Sequence, residues 1–70
     1  MNMMEDSFLY KEFTVYLKKD VIGWRANSMK LIELNGKEIN IQIDEQGNTK
    51  AEVIETAKRE VDRQLKAMKL

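Results

Sequence analysis

Apolar Leu9, Phe13, Val15 and Leu17 fall in step with one another, while Tyr10, Glu12, Thr14, Tyr16 and Lys18 fall between them. A period of two is that of a strand with one buried face, so residues 9–18 are expected to form a first strand. Lys19 and Asp20 then read as a two-residue hairpin loop, which sets Leu17 opposite Ile22, Val15 opposite Trp24 and Phe13 opposite Ala26 on one face. Asn35-Gly36 signals a second turn. A two-residue loop there would set Lys30 against Ile41 and Ser28 against Ile43, placing polar groups on the core face. A three-residue loop with Gly36 left-handed instead pairs Leu31 with Ile39 and Met29 with Ile41, and is the expected register. It requires strand two to switch phase between Ala26 and Met29, which a bulge near Asn27-Ser28 would accomplish. Ile39, Ile41 and Ile43 make the third strand, and residues 44–48 the loop after it.

Beyond that loop the period lengthens. Ile54, Ala57, Val61, Leu65 and Met68 recur at spacings of three and four, the stripe of a helix with one buried side. Thr49 followed by Glu52 reads as a capping box, so the helix should begin near Thr49. Glu55 with Arg59 and Asp62 with Lys66 are acid-before-base pairs four apart on its exposed side. The fold expected is α+β: a three-stranded antiparallel meander packed against one C-terminal helix.

Seventy residues can enclose one hydrophobic core, so residues 1–70 are expected to be a single domain. Residues 1–7, an acidic stretch containing Met1, Met3 and Met4, are expected to be flexible. That start lacks the basic region and apolar core of a signal peptide, and no apolar run reaches bilayer length, so a cytoplasmic setting without a membrane partner is expected. With 12 basic and 12 acidic residues, no overall field attracts the chain to nucleic acid, and any charge argument must be local.

The chain has no histidine and no cysteine. It therefore lacks an ordinary general base near neutral pH and a thiol nucleophile, and carboxylates are its only strong metal ligands. Asp44, Glu45 and Asn48 lie close in sequence but lack the alternating oxygen ligands and terminal glutamate of a calcium loop. Three scattered glycines build no phosphate-binding loop. These observations point away from an enzyme, a metal, a cofactor or a small-molecule substrate. They turn attention to the sheet face away from the helix, where the expected registers place Thr14, Tyr16, Lys18, Arg25, Asn27, Lys30, Asn40 and Gln42. Aromatic, basic and amide groups of this kind can contact a protein, or phosphates and base edges.

Two resemblances rest on particular residues. Gly23-Trp24-Arg25-Ala26 on strand two, a third strand, and Gly47-Asn48-Thr49-Lys50-Ala51-Glu52-Val53 opening the helix resemble the HicB-type antitoxin fold, with Val53 where that family usually has alanine. This likeness implies a protein partner. Trp24, the Asn35-Gly36-Lys37 hairpin and Thr49-Lys50-Ala51-Glu52, in that order, are similar to the amino-terminal arm-binding domain of tyrosine recombinases. In that family the sheet reads DNA, which implies such a role for Arg25, Lys30 and Lys37. The expectation is a non-catalytic interaction or regulatory module that binds a protein, a second copy or another chain, through the sheet face or an edge strand. The alternative is a DNA-binding accessory domain that inserts its sheet into the major groove.

Overall fold

Val53, Ala57 and Val61 repeat at four-residue intervals along one helix and are fully buried. Opposite them lie the alternating side chains Phe13, Val15 and Leu17, then Ala26, then Ile41 and Ile43, so the core is one apolar layer between a helix and one sheet face. The computed structural model describes residues 6–68. Within them the chain forms β1 (Asp6–Tyr10), β2 (Phe13–Asp20), β3 (Gly23–Leu34), β4 (Lys37–Gly47) and α1 (Lys50–Ala67). All strand pairs are antiparallel and follow chain order, β1-β2-β3-β4.

The α+β class with one C-terminal helix holds, but the sheet has four strands where three were expected. The expected first strand is broken at Lys11-Glu12, where φ values of 50° and 71° turn the chain back through a two-residue hairpin. Neither residue is a turn former, and left-handed backbone costs a residue with a side chain about 1–2 kcal/mol. The new hairpin offsets that cost by pairing Phe8 with Val15 and Tyr10 with Phe13, which turns both aromatic rings toward α1. Tyr10, expected outward, therefore faces the helix, and Leu9 faces out. Asp6 and Ser7 belong to β1, while residues 1–5 of the start expected to be flexible lie outside the described residues.

β1 is held by a stripe of α1. Lys50, Ile54, Lys58 and Asp62, each one turn on from the last, lie over Asp6, Phe8 and Tyr10. Lys50 pairs with Asp6, Lys58 Nζ stands 6.0 Å from the Phe8 ring centre and 5.5 Å from that of Tyr10, and the Tyr10 hydroxyl donates to Asp62.

Both later hairpins differ in register from expectation. The loop between β2 and β3 is Val21-Ile22, flanked by Asp20 and Gly23, so Leu17 faces Ala26 rather than Ile22, and Trp24 faces Lys19 rather than Val15. Asp20 pairs with Gly23 across the turn and its Oδ1 accepts from the Val21 amide at 2.7 Å, while Val21 and Ile22 are exposed. The Asn35-Gly36 turn is the two-residue form, with φ of 55° and 80°, and β3 and β4 pair without a bulge from Leu34↔Lys37 to Trp24↔Gly47. Lys30 does face Ile41, and Ser28 does face Ile43. The polar groups on the core face cost little because both find partners. Ser28 Oγ donates to the Thr14 carbonyl at 2.7 Å, and Lys30 Nζ to the Glu12 carbonyl at 3.1 Å while lying over the Phe13 ring. Among the described residues no buried side-chain nitrogen or oxygen lacks a hydrogen bond.

β4 continues through residues 44–47, expected to be loop, and α1 begins after Thr49, whose side chain accepts from the Glu52 amide at 3.1 Å. Glu52 Oε1 accepts from the Asn48 amide at 2.9 Å, one residue before the expected cap amide. Val53 joins the buried stripe, while Ile54, Leu65 and Met68 pack at its margin. Asp62 is engaged by Tyr10 and Lys11 rather than Lys66.

Candidate interaction face

With α1 covering one side of the sheet, the pleat sends every second side chain to the other. β2 presents Thr14, Tyr16 and Lys18 there, β3 presents Arg25, Asn27, Met29, Leu31 and Glu33, and β4 presents Asn40, Gln42 and Asp44. Seven of the eight residues singled out in the sequence are among them: Thr14, Tyr16, Lys18, Arg25, Asn27, Asn40 and Gln42. Lys30 is not, since the two-residue turn fixes its phase toward the helix side.

The same turn delivers what the sequence reading missed. Met29 and Leu31, expected in the core, stand on the outer face 67% and 64% exposed, with Leu9 at 72% and Tyr16 at 55%. Tyr16 and Met29 line one shallow open depression with Asn27 and Gln42. The Gln42 amide donates to Met29 Sδ across the strands at 3.6 Å, which holds the thioether over the sheet. The signal in the sequence for Met29 and Leu31 on this face is Asn35-Gly36 read as a two-residue loop.

The charges around this strip are mixed. Lys18 and Arg25 sit on paired positions of β2 and β3, and Arg25 reaches Asp20 at 3.8 Å. Asp20, Glu33, Glu38 and Asp44 share the face, with Glu33 opposite Glu38 on the hairpin that projects beyond β2. Asp44 and Glu45, adjacent in sequence, point to opposite sides of β4, and among the described residues no three carboxylates converge on a point that would hold a metal ion. No helix among the described residues is long and apolar enough to cross a membrane.

No protein-family model, curated protein or solved structure matches the chain. The face is therefore read from its own chemistry.

A cluster of charged and polar groups lies on the opposite side, where Tyr10 and Lys11 meet Asp62. The Tyr10 hydroxyl donates to both carboxylate oxygens at 3.1 and 3.0 Å, and Lys11 Nζ to one at 2.7 Å. The Lys11 hydrogen bond and, after it, that of Tyr10 hold the Asp62 carboxyl below its ordinary range against the opposing effect of desolvation. The same carboxylate raises the Tyr10 phenol and the Lys11 ammonium above their ordinary values. A phenol locked in its neutral form and a fully charged ammonium are poor proton acceptors. This cluster fastens β1 to α1.

Proposed function

We propose that the protein is a non-catalytic interaction module that docks a protein partner on the outer sheet face, around Tyr16, Met29 and Leu31. The observation that carries this reading is the row of exposed apolar side chains on a face that has no need of them. An antiparallel sheet covered on one side is stable with a wholly polar outer face. Aromatic and methionine side chains are enriched where protein interfaces bury their centres, and amides such as Asn27, Asn40 and Gln42 supply a polar rim. The resemblance of Gly23–Ala26 on β3 and of the helix-start segment to HicB-type antitoxins points in the same direction.

The alternative, insertion of the sheet into DNA, draws less support from this face. It offers Lys18 and Arg25 against Asp20, Glu33, Glu38 and Asp44, and Lys30 is directed elsewhere. A DNA surface needs a local positive excess.

The test is affinity capture with the wild-type chain and with Met29→Glu/Leu31→Glu. These side chains contribute little to the core, so the variant should unfold within about 0.5 kcal/mol of the wild type. It should lose the captured protein by a factor of about a hundred in affinity, as removal of a central apolar anchor does. Retention of duplex DNA that disappears with added salt would favour the DNA reading, and capture unaffected by the double substitution would exclude the outer face.

A further inference from the structure

The sheet ends in an open strand. β4 runs eleven residues, Lys37–Gly47, with β3 on one side and, among the described residues, no strand on the other. In a two-residue hairpin the residues flanking the loop exchange both backbone bonds, and bonded pairs alternate with unbonded ones from there. The odd-numbered residues of β4 therefore bond to β3, and the amides and carbonyls of Glu38, Asn40, Gln42, Asp44 and Gln46 face the open edge. Folded proteins commonly blunt such an edge with a proline, a bulge or an inward-pointing charge. The chain has no proline, the β3–β4 register is unbroken, and between Ile39 and Ile43 the helix-side residues are all isoleucine.

We infer that β4 pairs antiparallel with β4 of a second copy about a two-fold axis at Ile41, joining two sheets into one of eight strands. The strand is complementary to itself in this register. Ile41 meets its own copy, Ile39 meets Ile43, Asn40 meets Gln42, and Lys37 at one end meets Glu45 at the other. The two-fold makes each of these contacts twice, except that of Ile41, which lies on the axis and occurs once. Among the described residues neither Lys37 nor Glu45 forms an ion pair within the chain. The one unfavourable pairing, Glu38 with Asp44, lies on the outer side, where solvent screens it. Above the strand, Glu45, Thr56, Glu60 and Arg63 line a single open depression along α1. The axis brings the two helices alongside each other with this flank facing its copy, so the Glu60–Arg63 pair that each helix forms within itself can be shared with that of the other. The outer faces of both copies become one surface carrying two Tyr16–Met29 patches. This pairing does not depend on what that surface binds.

Sedimentation equilibrium with the full chain tests it. The expected mass is twice 8.2 kDa at micromolar concentration. Gln42→Pro removes an amide that only the open edge uses, so β3 keeps its ladder, and dissociation should strengthen about a hundredfold. Lys37→Glu and Glu45→Lys should each weaken the dimer about tenfold, and the two together should restore it. This exchange also decides the matter if the proline variant fails to fold. A monomer up to about 1 mM, a folded Gln42→Pro chain that still dimerises, or failure of the double exchange to restore the dimer would each overturn the inference. So would a dimer lost in Met29→Glu/Leu31→Glu, which would place the contact on the outer face, or a mass that climbs past two chains.

Discussion

Gly23 and Gly47 meet at the corner where β3 begins and β4 ends. Gly23 has φ of 152°, and a Cβ on it would collide with the Gly47 carbonyl while standing 3.3 Å from Asn48 Cα. Gly36 also has positive φ, 80°, but nothing lies within 4 Å of its missing Cβ. The two therefore separate backbone conformation from close approach. Gly36→Ala is expected to cost about 1 kcal/mol, the penalty for a left-handed alanine, and Gly23→Ala about 2–3 kcal/mol through added steric strain. Urea denaturation measures both, and equal losses would show that the close approach contributes nothing. The Asn-Gly dipeptide announced Gly36 in the sequence. Gly23 gave no such warning, because the atom that excludes its Cβ lies 24 positions further along the chain. Ser28 and Lys30 were misread for a similar reason: a hydroxyl on a core face is costly only until a carbonyl such as that of Thr14 is there to accept its proton.

Among the elements, α1 was the most legible and β1 the least. A helix start written as Thr49 with Glu52 and a three-four apolar spacing survive almost any tertiary context. β1 pairs with β2 through a turn at Lys11-Glu12 that carries no turn-forming residue, and Tyr10 fastens it to Asp62, 52 positions away, a contact that no local pattern encodes. Its pH response follows from the shifted groups. Asp62 has a lower pKa folded than unfolded, so its contribution is fully present above the ordinary aspartate range and is lost as pH falls through the depressed value. Tyr10 and Lys11 have raised values, so theirs is present below the ordinary values of 10.0 and 10.5 and is lost as pH rises through the raised ones. Asp62→Asn should flatten both limbs at once, since the one carboxylate takes part in all three shifts. Denaturation midpoints across pH would reveal this, and an unchanged acid limb would mean that the latch does not stabilise the fold. The cluster is largely solvent-exposed, which keeps the effect modest.

The whole molecule is elongated, 41 × 24 × 16 Å, because the β3–β4 hairpin outruns its neighbours. Past Lys30 it has no β2 beside it among the described residues, and it continues as a two-stranded ribbon to Leu34 and Lys37. Two strands alone are marginal in water, so the ribbon should open without the body. The Leu34 amide is expected to exchange its hydrogen about a hundredfold faster than that of Ser28, although both bond to β4. Exchange measured by NMR checks this, and matched rates would mean that ribbon and body open together. At this scale the sequence showed the class and most of the outer face, since seven candidate positions kept the phase that alternation gave them. It hid Met29 and Leu31, because hydrophobicity alone argues for burial and an interaction face breaks that rule. The order of the strands, finally, bears on how the chain finds its fold. Every strand pairs with its neighbour in sequence across two residues, and α1 turns back directly onto β4. Closing such short loops sacrifices little chain entropy, so the hairpins can zip in quick succession. The junction of Tyr10 with Asp62 spans nearly the entire chain, which makes the seating of β1 against the helix the slowest closure and the natural last step of folding.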